Sequence, residues 1–306
     1  IDSLSRNIFR ILAILKENGF IYQADNYNMA TQLGKKVSEL YLNPDTAHYF
    51  LDYLDYFIKR FTSPNVSKFD IFSLIYFIVN TTEMQPLFRV NKKEEDDYLQ
   101  RAEEVSDSLL IEFDPFEMDY NQYLNNLKTS DVLQDWIHEA PEDYITEKYG
   151  ITPGELHYKL EIADWLLYCL EELVLLKKQF YFRNYLNRLR LRFKKGVREE
   201  LLSLVRLHGV GRVRARKLFR AGFRKLGDLK AAEFASISRE VGESMAIKIK
   251  DQVKDEAPSP DQGLQEKPKE IKVREVSDEE VEELVSADHA FQKEREEKNL
   301  NLNDFF

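Results

Sequence analysis

Apolar residues recur every three or four positions along most of the chain, which is the spacing of an α-helix with one buried face. Glycine and proline, the strongest helix breakers, account for only 11 and 9 of the 306 residues. The pattern therefore predicts a mainly α protein. The predicted helices comprise a first helix that ends at Gly19, helices at 31–42, 46–61, 68–80, 92–109, 120–138, 141–149 and 153–176, and a set of small helices over 226–253.

Two short segments near the start depart from this spacing. Phe20-Ile21-Tyr22 and Tyr27-Asn28-Met29 flank a polar turn and predict two short strands. A helix, two strands and a further helix make up the back part of a winged-helix domain, and its first helices would precede Ile1. Because the chain starts with Ile1 inside a helical pattern, we expect it to be a fragment of a longer protein.

Charge is distributed very unevenly. The net charge is −10, yet residues 177–230 hold 18 Lys and Arg against 3 Asp and Glu, so the rest of the chain carries −25. A block of +15 in an acidic chain predicts one nucleic-acid-binding face, although a basic helix on a solvated surface gives the same count. Apolar residues interrupt the block at Leu189 and Leu191, so part of it must also pack.

The most informative segment of the basic block is 207–222, LHGVGRVRARKLFRAG. The segment predicts a helical hairpin: one helix ends at Leu207, a tight turn containing two glycines follows, and a second helix is rich in arginine. The second helix would point its free N–H groups at a phosphate. The segment resembles the helix-hairpin-helix motif of DNA-repair proteins, which grips the DNA backbone without reading sequence. An ordinary hairpin with a solvated basic face is the alternative. The DNA-binding candidates here are Gly209, Gly211, Arg212, Arg214, Arg216, Lys217 and Arg220.

The rest of the composition excludes several classes of site. Cys169 is the sole cysteine, so no disulfide can form within the chain, which fits a reducing cytoplasm. The five histidines have no metal-ligand spacing, and His48 and His138 are expected to be ordinary surface or core residues. The acidic runs at 94–97 and 278–283 are expected to be solvated faces, so we predict no metal site and no catalytic residue in this chain.

Four motifs occur in one order and resemble the C-terminal half of the archaeal Hjm-type superfamily II DNA helicases. They are TQLGKKVSELYLNP (31–44), LKTSDVLQDWIHE (127–139), KYGITPGELHYKLEIADWLLY (148–168) and GVREELLSLVRLHGVGRVRARKLFRAG (196–222), and the resemblance covers residues 4–253. It implies a partial winged helix at 1–43, a helical-bundle "ratchet" domain at 44–196 and a helix-hairpin-helix domain at 197–253. The composition predicts a disordered acidic linker at 254–298.

The resemblance also implies an activity for the parent protein. Such helicases unwind forked DNA in the 3′-to-5′ direction with ATP and Mg²⁺, using two N-terminal ATPase domains. The present chain contains neither G-x-x-x-x-G-K-[ST] nor D-E-x-H, and the lysine of GVGRVRARK has the wrong spacing for a phosphate-binding loop. We therefore expect no ATP hydrolysis by this chain alone, and no cofactor in it. Its expected partners are single-stranded and forked DNA and the ATPase domains.

Two tryptophans receive different interpretations. The helix at 153–176 is apolar on two sides, and in the family this helix lines the channel for single-stranded DNA, where Trp165 matches a stacking tryptophan. Tyr158 matches a position that is arginine in some members, and this departure removes a phosphate contact but leaves a stacking face. Both aromatics are core residues on the alternative interpretation. Trp136 shares an apolar periodicity with Leu133 and is predicted to belong to the core.

The last eight residues, NLNLNDFF, resemble the motif by which replication proteins bind the sliding clamp PCNA. Asn299, Leu302, Phe305 and Phe306 are the matching positions, and the family motif has Gln where this chain has Asn299. A frayed apolar terminus that packs on its own domain is the alternative. A polar linker before the motif is what a tethered ligand needs.

Three hypotheses for function remain open at this point. The chain is a strand-guiding half of a helicase, a stand-alone DNA-structure-binding adaptor that recruits the clamp, or a nuclease. A nuclease needs clustered carboxylates on a sheet, and the sequence pattern indicates none.

Overall fold

The architecture is almost entirely helical. It is taken from a computed structural model that describes residues 2–24, 27–62, 71–109, 111 and 118–255. The prediction of a mainly α fold is confirmed for these residues. The elements are α1 (Asp2–Glu17), β1 (Ile21–Ala24), β2 (Tyr27–Ala30), α2 (Gln32–Glu39), α3 (Pro44–Thr62), α4 (Ile71–Val79), α5 (Glu95–Val105), α6 (Tyr120–Ile137), α7 (Glu142–Tyr149), α8 (Pro153–Leu176), α9 (Phe180–Lys195), α10 (Leu202–Val205), α11 (Arg212–Arg220), α12 (Leu226–Ala231), α13 (Phe234–Val241) and α14 (Glu243–Asp255).

The two predicted strands are confirmed as an antiparallel pair between α1 and α2. Ile21 pairs with Ala30, and Ala24 pairs with Tyr27. Thr31 then caps α2, because its hydroxyl oxygen accepts a hydrogen bond of 3.0 Å from the Gly34 N–H. The absence of a side chain at Gly34 lets α2 lie directly against the backbone of Phe20, the residue before β1, since a Cβ there would lie 2.0 Å from the Phe20 carbonyl oxygen.

A large core joins α2 through α9. Helix α4 is buried along its length from Phe72 to Val79, and α8 runs through the same core and packs most closely against α9. Helix α8 begins at Pro153, as predicted. The Thr152 hydroxyl accepts from the Glu155 N–H while the Glu155 carboxylate accepts from the Thr152 N–H, a capping box that fixes where α8 begins.

A second, smaller core joins α10 through α14. Its fully buried members include Ala215 and Leu218 of α11, Leu229 of α12, and Ile237 of α13. Leu191 already belongs to it, although it lies on α9, whose other apolar residues pack in the large core. The predicted boundary at 196–197 stays a prediction, because α9 contributes to both cores.

Several helices are shorter than predicted. The helix expected over 92–109 begins at Glu95 and ends at Val105, and the helix expected to end at Leu207 ends at Val205. Local apolar spacing continues past these ends because Leu109 and Leu207 are buried after the helical backbone has stopped. The linker, the acidic segment at 277–283 and the Asn299–Phe306 tail lie outside the described residues.

The described residues contain neither a membrane-spanning helix nor a metal-binding cluster of side chains. None of the helices there is both long and apolar enough to cross a bilayer. The same part of the chain holds no group of three or more His, Cys, Asp or Glu side chains arranged to bind a metal ion.

Candidate nucleic-acid interface

Helix α11 carries the basic residues of the hairpin on two different sides. Ala215 and Leu218 face the small core and are fully buried. The 3.6-residue period then places Arg214, Lys217 and Arg220 together on the solvent side, where all three are exposed. Arg212 and Arg216 are half-buried on a third side, so the five predicted cationic residues do not form a single surface.

The turn before α11 is built as the motif requires. Gly209 has φ +84°, a left-handed conformation that favours glycine, and a Cβ there would lie 2.9 Å from Met245 Cε. Gly211 is the N-cap of α11, with an extended backbone and no side-chain hydrogen bond to the helix start. The first N–H groups of α11 are therefore left for another acceptor.

Neighbouring side chains hold the hairpin turn in place. Gln252 of α14 accepts a hydrogen bond of 2.7 Å from the His208 N–H and donates one of 3.2 Å to the His208 carbonyl. The Arg214 guanidinium donates to the Gly209 carbonyl at 2.9 Å while staying exposed. The turn is thus fixed from within its own unit, with cationic charge directly beside it.

The two inward arginines bind the large core. Arg212 Nη1 donates to the Ala140 carbonyl at 3.0 Å, and Arg216 Nε donates to Glu139 Oε2 at 2.8 Å. Arg216 Nη2 also donates to Glu139 Oε1, and to Glu200 Oε1 at 2.8 Å. Both arginines were predicted to contact DNA, and here they fasten α11 to the turn between α6 and α7.

Two further arginines bind the same turn. Arg192 Nη2 donates to the Ile137 carbonyl at 3.4 Å, and Arg198 Nε donates to the His138 carbonyl at 3.3 Å. Arginines thus meet four consecutive residues at the end of α6. We call this set, Arg192, Arg198, Arg212 and Arg216 over residues 137–140, the arginine clamp. Carbonyl groups left without partners at a helix C-terminus carry partial negative charge, which guanidinium groups stabilise.

The charged groups of the clamp shift one another's pKa values. Hydrogen bonds to Glu139, opposed by partial burial, raise the pKa of Arg216. Burial alone would raise the pKa of Glu139, but the hydrogen bonds from Arg216 and from the Arg198 N–H outweigh it, so the pKa of Glu139 is lowered. Both partners therefore stay charged around neutral pH, and the clamp persists there.

Trp136 packs against Arg212 of the arginine clamp. It is only 9% exposed, so the prediction that it belongs to the core is confirmed. Its indole N–H donates to the Phe193 carbonyl at 2.7 Å, and the Arg212 guanidinium lies 5.0 Å from its ring centroid. Gly196 packs against the same ring, where a Cβ would come within 2.8 Å.

Trp165 lies on α8 at the point where α8 meets α2. Its side chain is half-buried and packs against the large core, and its indole N–H donates to the Leu40 carbonyl at 3.3 Å. Two helical turns further along α8, the Glu172 carboxylate accepts a hydrogen bond from Lys36 Nζ at 3.1 Å. Trp165 therefore makes a hydrogen bond within the fold and leaves part of its ring exposed to solvent.

Tyr158 lies nearer the start of α8 and is 53% exposed. Lys159 Nζ is 5.4 Å from its ring centroid and donates to the Met84 carbonyl. Burial lowers the pKa of Lys159 to about 8. Tyr158 and Trp165 lie on α8, which belongs to the large core, and α11 belongs to the small one, so the predicted residues form two separate groups.

Sequence reasoning missed the acidic half of the clamp. Glu139 and Glu200 lie within the segments 127–139 and 196–222, but nothing in either segment indicates that they pair with Arg216, which they meet only after the chain has folded. The Glu139 backbone has φ +72°, which is uncommon for a residue other than glycine, and no sequence pattern reveals it.

Comparisons with known proteins agree with the resemblance seen in the sequence. Residues 72–196 match the family model described as archaeal helicase, domain 4. The chain is 40% identical over 235 residues to the ATP-dependent DNA helicase Hel308 of Thermococcus kodakarensis, covering 76% of this chain and 20% of that protein. It is 38% identical over 231 residues to Hel308 of Thermoplasma acidophilum, covering 76% of this chain and 30% of that protein.

A third relative gives the same result. Hel308 of Methanocaldococcus jannaschii is 36% identical over 252 residues, which cover 82% of this chain and 19% of that protein. The chain thus spans about a fifth to a third of the length of these curated relatives.

Proposed function

We propose that the chain binds DNA and guides one strand while a Hel308-type archaeal superfamily II DNA helicase unwinds a fork. The proposal follows from the chain's homology to the C-terminal region of these helicases. One observation carries the proposal. Within this homologous region, α11 starts at an uncapped glycine turn and presents Arg214, Lys217 and Arg220 together to solvent. Free N–H groups and adjacent cations suit a phosphate backbone and carry no sequence preference.

The proposal assigns a role to each region of the chain. Residues 1–43 are part of a winged helix, 44–196 form the ratchet domain and 197–253 form the helix-hairpin-helix domain. Trp165 and Tyr158 of α8 contact unstacked bases, and the hairpin holds the backbone through Gly209, Gly211 and the exposed cations of α11. The arginine clamp sets the position of the hairpin relative to α8, because it joins α11 to the core that contains α8.

The relatives are named as ATP-dependent helicases. We place ATP hydrolysis, and the Mg²⁺ that goes with it, in ATPase domains that act together with this chain, since neither ATPase motif occurs in the 306 residues. On this proposal the chain makes no chemical step of its own. Its substrates are single-stranded and forked DNA during repair and replication restart, with 3′-to-5′ movement supplied by the motor.

A stand-alone adaptor that recruits the sliding clamp is the second candidate. The observation that favours it is the Asn299–Phe306 segment, whose polar, aliphatic and paired aromatic residues have the spacing of a PCNA-binding motif. Both candidates predict DNA binding and a PCNA interaction, and they differ in whether the chain stimulates an ATPase.

A salt titration tests the proposed function directly. The affinity of the 306-residue chain for a single strand, a fork and a blunt duplex is measured by fluorescence anisotropy at several salt concentrations. We expect the logarithm of the affinity to fall linearly with the logarithm of the salt concentration, and the fork and single strand to bind more tightly than the duplex. Absence of binding at low salt, or binding that salt does not weaken, would contradict the proposal.

Adding the purified ATPase region of a Hel308 relative separates the two candidates. A strand-guiding half should increase fork unwinding by that region, whereas an adaptor should leave unwinding unchanged and still bind both DNA and PCNA. The charge-reversed variant Lys217→Glu is the matched control, because it removes the hairpin contact while the rest of the chain is retained.

A further inference from the structure

The end of α2 has an unusual residue at its turn. The chain leaves the helix by a Schellman motif, in which the Leu42 N–H donates to the Val37 carbonyl at 3.2 Å and the Tyr41 N–H donates to the Ser38 carbonyl at 3.0 Å. In this motif the first of the two donor residues takes a left-handed conformation, and Tyr41, at that position, has φ +54°. Glycine or asparagine is the usual occupant, because a Cβ is disfavoured there.

The Tyr41 side chain contributes little to the fold. It is 66% exposed, whereas Leu40 before it and Leu42 after it are buried in the large core. A bulky residue therefore sits in a conformation that disfavours it, with an aromatic ring that the protein leaves open to solvent. Strained backbone conformations at residues other than glycine cluster at functional sites.

The backbone next to Tyr41 is fixed to α8. The Leu40 carbonyl, which belongs to the peptide unit that leads into Tyr41, accepts the indole N–H of Trp165 at 3.3 Å. The Lys36–Glu172 ion pair of 3.1 Å ties the preceding turn of α2 to the same side of α8. Tyr41 is thus held at a set distance from Trp165 by two contacts between α2 and α8.

We propose that Tyr41 is a further base-stacking residue for single-stranded DNA, acting beside Trp165. The inference rests on the proposed function, since it needs a strand that passes along α8. Aromatic rings stack on any unpaired base, so the pair would hold successive bases without sequence preference. An exposed ring on a turn fixed at both sides loses little conformational freedom when a base stacks on it, which favours a stacking role over a flexible surface tyrosine.

Variants at Tyr41 separate stacking from folding. Tyr41→Gly and Tyr41→Asn suit the left-handed backbone, so both should keep or raise the melting temperature. Each should weaken binding of the 306-residue chain to an oligo-dT strand by roughly 5- to 100-fold, the range expected for one lost base–aromatic stack. Tyr41→Phe, which keeps the ring, should bind within about twofold of wild type. Tyr144→Ala, at another exposed tyrosine on α7, is the control and should also leave affinity unchanged.

The salt dependence provides a readout that a purely structural role would not produce. Loss of a stacking ring should lower the affinity at every salt concentration and leave the log–log slope unchanged, because no phosphate contact is lost. Photocrosslinking with a strand that contains 5-iodouracil, followed by mass spectrometry, should identify Tyr41 as a crosslinked residue.

The possible outcomes distinguish this inference from the proposed function. If the wild-type chain fails to bind the strand, the proposed function itself fails. If wild type binds and Tyr41→Gly binds equally well without a crosslink at Tyr41, only the role of Tyr41 is overturned. A changed salt slope in Tyr41→Gly would also overturn stacking, since it would indicate a displaced phosphate contact.

Discussion

Arg216 Nε donates a hydrogen bond of 2.8 Å to Glu139 Oε2 across 77 positions of sequence, and the two residues belong to different hydrophobic units. Arg216 lies on α11, which packs in the small core, while Glu139 follows α6 of the large core. The pair is the charged centre of the arginine clamp. Because both side chains are mostly buried and make several hydrogen bonds, the pair should stabilise the junction more than an exposed ion pair would.

The first prediction concerns pH. The pKa of Glu139 is lowered in the folded protein, so its contribution to stability is complete above its ordinary pKa of about 4.5 and is lost as the pH falls through the folded value. Glu139→Gln keeps the side-chain shape and removes the charge. Its free energy of unfolding should be lower than that of wild type by about 1–3 kcal/mol at pH 7, and by much less near pH 3.

Urea denaturation at several pH values measures this difference. Glu147→Gln, at an exposed carboxylate of α7, is the matched control and should change the free energy of unfolding little at any pH. A deficit for Glu139→Gln of the same size at pH 3 and pH 7 would show that the carboxylate charge has no part in the clamp.

The second prediction assigns different roles to the exposed and the half-buried basic residues of α11. Changing Arg214, Lys217 and Arg220 together to alanine should weaken DNA binding and reduce the log–log salt slope by about 2 to 3, since each lost phosphate contact removes roughly 0.7–0.9. The melting temperature should change little, because all three side chains are exposed. Salt titration and thermal melting of the same variant provide both measurements.

The complementary variant should show the opposite behaviour. Arg212→Ala with Arg216→Ala removes two clamp residues, so the Ala140 carbonyl loses the Arg212 hydrogen bond and the Glu139 carboxylate keeps only the Arg198 N–H. We expect a loss of stability, with a salt slope close to that of wild type at temperatures where the variant is folded. Equal salt slopes for the two variants would contradict this division of roles.

Local signals explain which parts of the fold and site were predictable. The start of α8 was predictable because Thr152 and Glu155 form a capping box within four residues, and the α11 turn because glycine spacing is visible in the sequence. The division of α11 into an exposed and an anchored side was not, since it depends on Glu139, whose position relative to Arg216 is set by tertiary packing. The left-handed turn at Tyr41 was equally hidden, because its residue type argues against that conformation.

The third prediction tests the two contacts of Trp165. Trp165→Phe keeps an aromatic ring and removes the indole N–H, so it should cost about 1 kcal/mol of stability through the unpaired Leu40 carbonyl and retain most of the affinity for single-stranded DNA. Trp165→Ala should lose both stability and affinity. Chemical denaturation and anisotropy of the same proteins check this, and unchanged affinity in Trp165→Ala would assign the residue to the core alone.

The fourth prediction concerns the close approach of α2 to the backbone of Phe20. Gly34→Ala would place a Cβ 2.0 Å from the Phe20 carbonyl oxygen, so the backbone must shift and the stability should fall by more than about 2 kcal/mol. Gly154→Ala is the matched control, because a Cβ there meets no atom within 4 Å, and it should be neutral or stabilise α8 by about 0.4–1 kcal/mol. Thermal melts compare the two variants, and equal melting temperatures would refute the close approach.

The fifth prediction addresses the Asn299–Phe306 segment, which lies outside the described residues. Two adjacent phenylalanines after a polar linker offer a large apolar area for a partner. A peptide of these eight residues should bind an archaeal PCNA with an affinity on the order of micromolar, since a short segment must become ordered on binding. Phe305→Ala with Phe306→Ala should abolish binding, and Asn299→Gln, which restores the usual residue of the motif, should tighten it.

In the 306-residue chain, the double alanine variant should bind DNA as wild type does, because the hairpin is a separate site. Isothermal titration calorimetry measures all three peptides, and the absence of heat at high micromolar peptide would exclude the segment as a PCNA-binding motif.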